Sequence, residues 1–131
     1  MEIYEEQYEI RIANLPEANP AATLLDYLFG ALPEELADEA RATEVLLGLA
    51  AEDGELREEL RKMYDQYEQR VIDVLSGAFP KASPDRCTEI AYGLVCLAEQ
   101  NERFQLMGLP GDRSGRARAA AEVLVSSLQD D

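Results

Sequence analysis

Apolar positions along this chain recur at intervals of three and four, and proline and glycine punctuate the stretches between them. Such intervals line up on one face of an α-helix. The clearest case runs from about Glu55 to Phe79, where Leu56, Leu60, Met63, Tyr67, Val71, Val74 and Ala78 form one stripe. The other side carries Arg57, Glu58, Glu59, Arg61, Lys62, Asp65, Glu68 and Gln69. One face is therefore predicted to meet a core and the other to meet water. No alternating run of β-branched and aromatic residues lies between tight-turn dipeptides, so no strand is predicted.

The same periodicity predicts helices on either side. The first spans about Glu2 to Asn14, with Tyr4, Tyr8, Ile12 and Leu15 near one side, and Pro16 stops it. Asn19-Pro20 reads as an N-cap followed by proline in the first turn, opening a helix over about Ala21 to Leu32. Pro33 opens another that runs to about Glu52, with Leu36, Ala40, Leu46, Leu47, Leu49 and Ala50 as apolar members. Gly54 is its stop signal. After the Glu55–Phe79 helix, Ser83-Pro84-Asp85 supplies an N-cap, a first-turn proline and an acid for the positive end of the helix dipole. That helix should continue to about Met107. Residues 108–115 (GLPGDRSG) have turn chemistry and read as a loop. A last helix covers about Arg116 to Leu128, with Ala117, Ala120, Ala121, Leu124 and Leu128 on one face. The expected fold is all-α, a single domain of about six helices over residues 1–131.

The segment 90-IAYGLVCLAEQNERFQLMG-108 departs from this amphipathic norm. From Ile90 to Ala98 every residue is apolar or glycine. A helix apolar on all sides is expected to be buried on all sides. The last helix is also apolar over a wide arc. Two consecutive helices with surplus apolar surface suggest that the pair packs against a second copy, and symmetric dimers are the commonest soluble oligomers. Leu94, Leu97, Asn101, Phe104, Ala117, Ala120, Ala121, Leu124 and Leu128 are the expected interface. The bland alternative is that both helices line the chain's own core. Asn101 continues the stripe of Ile90, Leu94 and Leu97. A polar residue at such a position fixes register across an interface or meets a ligand.

Charge narrows the function. The 131 residues carry 12 Lys and Arg against 27 Asp and Glu, a net charge of −15. Phosphate contacts need a basic face, so direct nucleic-acid binding is not expected. Anionic membrane surfaces are disfavoured for the same reason. The N-terminus lacks the basic and apolar regions of a secretory signal, and no apolar run reaches the ~20 residues that span a bilayer. A cytoplasmic location is the expectation. Cys87 and Cys96 fall on opposite faces of one helix, about 13 Å apart along its axis, so they cannot pair with each other there. Both read as buried free thiols of a reducing compartment.

Histidine is absent. That removes Ser-His-Asp and Cys-His catalysis and most transition-metal sites. The 108–115 loop lacks the Lys-Ser/Thr ending of a P-loop. No enzyme activity, catalytic residue, metal or cofactor is expected. Tyr27, Tyr64, Tyr67 and Tyr92 lie in otherwise aliphatic helices, and buried tyrosine seeks a partner for its hydroxyl. An apolar cavity with a few convergent hydroxyls is how small-molecule pockets look. Singly, each tyrosine is better read at a core edge with its hydroxyl in water, and Met63 as core filler.

The segments 45-VLLGLAAEDGELREELRKMYDQYEQRVIDVL-75 and 91-AYGLVCLAEQNERFQLMGLPG-111, followed by an Ala/Leu-rich final helix, resemble the C-terminal domain of TetR-family transcriptional regulators. The resemblance spans most of the chain and rests on hydrophobic pattern and helix order. It implies a helical domain that binds a small, mostly apolar effector and dimerises through its last two long helices as a four-helix bundle. Residues 1–14 would be the connector to a helix-turn-helix domain, which is missing from this sequence and would precede Met1. Candidate ligand contacts are Tyr27, Met63, Tyr64, Tyr67, Tyr92, Cys96 and Asn101. Where many members carry Asp-Gly in the dimer helix, this chain has Glu99-Gln100. The alternative is a stand-alone interaction module that pairs with or sequesters a related regulator and binds no ligand.

Overall fold

A computed structural model describes residues 19–30, 34–111 and 113–130, with the backbone alone at 34–36 and 130. The helix expected over residues 2–14 lies outside the described residues. Among those described there are five α-helices and no strand: α1 (Pro20–Phe29), α2 (Glu34–Ala50), α3 (Gly54–Ala78), α4 (Pro84–Met107) and α5 (Arg113–Ser126), followed by a 3-10 turn at Ser127–Asp130.

Local chemistry explains most of the boundaries. The Asn19 side chain accepts from the Ala22 N–H at 3.3 Å, and Pro20 occupies the first turn of α1. Asp53 accepts from the N–H groups of Glu55 and Leu56 at 3.1 and 3.2 Å and so starts α3. Ser83 does the same for α4 through Arg86. Each cap satisfies donors that a helix cannot satisfy itself. Gly108 ends α4 in the left-handed region (φ 66°), where only glycine is free of strain. There the N–H groups of Gly108 and Leu109 reach back to Gln105 and Phe104.

Three expectations need correcting. α1 ends at Phe29 rather than near Leu32, because the chain turns extended at Gly30. The loop after α4 is shorter than its turn residues suggested, since α5 already begins at Arg113. Ser114 and Gly115 sit in the first turn, where backbone donors need no helical partner and weak helix formers are tolerated. Arg57 is not simply a solvated face residue. Its guanidinium donates to the Ala50 and Ala51 carbonyls at 3.1 and 3.2 Å, closing the C-terminal end of α2.

The helices build two cores. The main one joins Leu24, Leu25, Leu28 and Phe29 of α1 with Tyr67, Val71 and Leu75 of α3. From α4 come Cys87, Ile90, Ala91, Leu94, Val95 and Ala98, from α5 Ala121 and Val125, and Leu128 closes the end. Each fully buried Leu or Val there contributes roughly 1.5–3 kcal/mol. The smaller core holds Ala50, Leu60 and Met63, flanked by half-buried Leu46, Leu47, Leu56 and Tyr64 of α2 and α3. Val45 and Leu49 of α2 are exposed.

α4 and α5 form an antiparallel pair. Asn101 meets Ser114, Gly93 lies against Leu124, and Arg86 reaches Ser127. The pair is close at its middle: a Cβ on Gly93 would sit 3.2 Å from Leu124 Cδ1. A salt bridge from Arg118 to Asp26 ties α5 to α1. No helix among the described residues is long and apolar enough to cross a membrane.

Candidate functional site

α4 presents a different polar group on each of two opposite sides. Glu99 and Asn101 are two positions apart, so their side chains leave the helix roughly 200° apart. Ala91, Val95, Glu99 and Glu102 form the stripe that faces α3, whereas Ile90, Leu94 and Asn101 turn toward the core and α5.

On the first side, the Tyr64 hydroxyl of α3 donates to Glu99 Oε2 at 3.1 Å. This bond lies at the junction of the two cores. Arg103 bridges from the same stretch of α4 to Glu44 of α2, its Nε 3.1 Å from Oε2. Burial is the main reason that the Glu99 carboxyl is raised to about 7. Repulsion from Glu102 and Glu44 adds to the effect, while the Tyr64 hydrogen bond and Arg103 oppose it. Burial also raises the Tyr64 phenol, with the Glu99 charge as the next cause. At neutral pH Glu99 thus exchanges between a carboxylate that accepts from Tyr64 and a neutral acid that can itself donate.

On the second side, a groove of about 260 Å³ runs between α4 and α5. Leu97 and Phe104 line it from α4, and Ala117 and Ala120 from α5. Arg113 lies over the Phe104 ring, 5.2 Å from its centroid, a cation–π arrangement. Asn101 also lines the groove and is only 3% exposed. Its Oδ1 accepts from Ser114 Oγ at 3.2 Å, but its buried Nδ2 has no partner.

The structure disperses the predicted ligand residues. Met63 belongs to the small core and Tyr67 to the main one, and Tyr27 packs against the main core from α1. Tyr64 faces Glu99. Tyr92 and Cys96 lie one turn apart on the outer side of α4, and Tyr92 is 62% exposed. The expectation that both thiols are buried therefore fails for Cys96, while Cys87 is buried. The run from Ile90 to Ala98 likewise has a solvent-facing strip within this chain, because Tyr92 and Cys96 lie on the arc that neither α3 nor α5 covers.

The predicted interface residues divide as well. Leu94, Ala121 and Leu128 are inside the chain's own core and leave no surface for a partner. Leu124 is half-buried against that core. Leu97, Phe104 and Ala117 are half-buried, and Ala120 is exposed. Val123, omitted from the expected interface, is 72% exposed beside them.

Glu99, Glu44 and Arg103 escaped the sequence reading of the site, as did Arg113 and Arg116. Glu99 was within reach of it. It stands one turn after buried Val95, so the same periodicity that singled out Asn101 places it on a packed face. Glu44 and Arg103 are 59 positions apart, and no local spacing joins them. Among the described residues, no three Cys, Asp or Glu side chains gather as metal ligands would. Compared with known proteins, the chain matches no family model, no curated protein and no solved structure.

Proposed function

We propose that this chain is the regulatory domain of a TetR-like transcriptional regulator, which binds a small, mostly apolar effector and works as a homodimer. The observation that carries the reading is the placement of exposed and half-buried apolar surface. Tyr92, Cys96, Leu97, Phe104, Ala120 and Val123 gather on the outer side of two antiparallel neighbouring helices, in a chain of net charge −15. Two such pairs, face to face, would bury that surface as a four-helix bundle. DNA binding would be the task of a helix-turn-helix domain outside this sequence.

The junction at Tyr64 and Glu99 supports the effector half of the reading. Beside the Arg103–Glu44 bridge, it joins a small lobe, α2 with the start of α3, to α4 through a partly buried hydrogen bond. A ligand that prefers one arrangement of that lobe would shift the balance between two states.

Sedimentation of the chain and of Val123→Glu tests the dimer. The parent should sediment as a dimer. The variant should be a monomer of unchanged helicity, since Val123 touches water and not the core. Leu124→Glu should instead unfold the chain, because it drives a charge against Gly93 and the main core. A parent that stays monomeric at all accessible concentrations refutes homodimerisation. If that monomer pairs with a full-length TetR-like regulator, the stand-alone interaction module becomes the better account.

A further inference from the structure

We propose that the groove between α4 and α5 is a binding site for a small organic anion with an apolar body, such as an aryl carboxylate. The groove lies opposite the Tyr64–Glu99 junction across α4, so it is distinct from the effector position suggested above. Three independent features point to this ligand class.

The first is shape. Ala117 and Ala120 stand where larger residues would close the space against Leu97 and Phe104, and their small side chains leave an apolar floor. The second is charge. Arg41, Arg61, Arg86, Arg103 and Arg118 each pair with a carboxylate. Among the described residues, Arg113 and Arg116 at the groove do not. Arg113 donates to the Pro110 carbonyl and stacks on Phe104, and Arg116 is exposed. In a chain with more than twice as many acids as bases, two guanidiniums that have no carboxylate partner among the described residues, beside one apolar groove, form a local site for an anion. The third is the Asn101 carboxamide. It is buried against the groove, one end held by Ser114 and the Nδ2 donor without an acceptor. A buried donor without a partner is costly, and a ligand oxygen in the groove would satisfy it.

The flat ring of an aryl carboxylate would cover Leu97, Phe104 and the two alanines, and its carboxylate would meet the guanidiniums. Leu97, Phe104 and Ala120 also belong to the face proposed to meet a second copy, so an occupant of the groove would compete with dimerisation. That regulatory consequence rests on the dimer reading; binding itself does not.

Calorimetric titration of the full chain with 1-naphthoate, and with the neutral 1-naphthylmethanol, tests the site. Saturable binding of the carboxylate is expected, with the alcohol about tenfold weaker or worse, the difference one charge-assisted contact makes. Arg116→Gln should weaken naphthoate about tenfold and leave the alcohol unchanged. Ala120→Leu, which fills the groove from an exposed helical position, should abolish binding of both while helicity is retained. Equal naphthoate affinity in the parent and both variants places binding elsewhere and overturns the proposal. Absence of saturable binding also overturns it. If the parent is then a dimer that Ala120→Leu disrupts, the groove belongs to a second copy; the anion site falls while the regulatory reading stands.

Discussion

The two halves of α3 are built on the same apolar period yet lie in different surroundings. Toward its C-terminal end, Tyr67, Val71 and Leu75 enter the main core, enclosed by side chains of α1 and α4. Toward its N-terminal end, Leu60 and Met63 are as well shielded but pack chiefly against α2, with half-buried leucines at the margin. Leu60 is 3% exposed and Leu75 0%. Burial alone therefore hides the difference. What matters is how many separate elements would have to move to fill a space left behind. A side chain held by several helices leaves a cavity that cannot collapse, whereas a two-helix lobe can close around the loss.

The largest expected effect tests this contrast directly. Leu75→Ala should cost about 3–5 kcal/mol, and Leu60→Ala about 1–3 kcal/mol, in urea unfolding. Amide exchange should show α2 and the first turns of α3 opening in Leu60→Ala while the main core stays protected. Equal losses with one cooperative transition would show that the two cores behave as one.

A middling effect is expected at the junction between the cores. Folded Glu99 holds its proton up to about pH 7, whereas the ordinary carboxyl value is 4.5. Between those values the folded chain binds more protons than the unfolded one. The stability contributed by protonated Glu99 is thus full at low pH and falls as pH rises from 4.5 through about 7. Glu99→Gln removes that loss. It should stabilise the chain at about pH 8 by on the order of 2 kcal/mol and change little near pH 4.5. Thermal melts of both proteins across that range give the comparison; parallel curves would show that Glu99 titrates as an exposed acid does.

The smallest effect concerns the turn that joins the lobe's two helices. Asp53→Ala removes the acceptor that caps α3 and should cost about 1 kcal/mol. The loss should appear as faster exchange at Glu55 and Leu56, with Leu75 and its neighbours unaffected.

Much of the architecture was legible beforehand because the signals are local. Ser83-Pro84-Asp85 opens α4 at the expected residue, and Gly108 closes it, because a cap is made by groups three or four positions apart. The stripe from Leu56 to Ala78 likewise identified the buried face of α3, although it did not reveal that two cores divide it. Arg57 shows where local reading stops: it has the spacing of a solvated face, but the end of α2 arrives close enough to take its donors. Cys96 shows the reverse, an apolar position that the neighbouring helices leave uncovered.

By itself, then, the sequence determined the all-helical character, most helix boundaries and the apolar stripes, all of which follow from backbone sterics and from contacts within one turn. Only the tertiary structure decided which sides of those helices meet. It turned Glu99 to Tyr64 and Asn101 to Ser114, opened a groove over Ala117 and Ala120, and left Tyr92 and Val123 in water. The physical reason is that a helix's own period specifies a face but not its neighbour. The neighbour is set by how the volumes of several helices fill a shared interior.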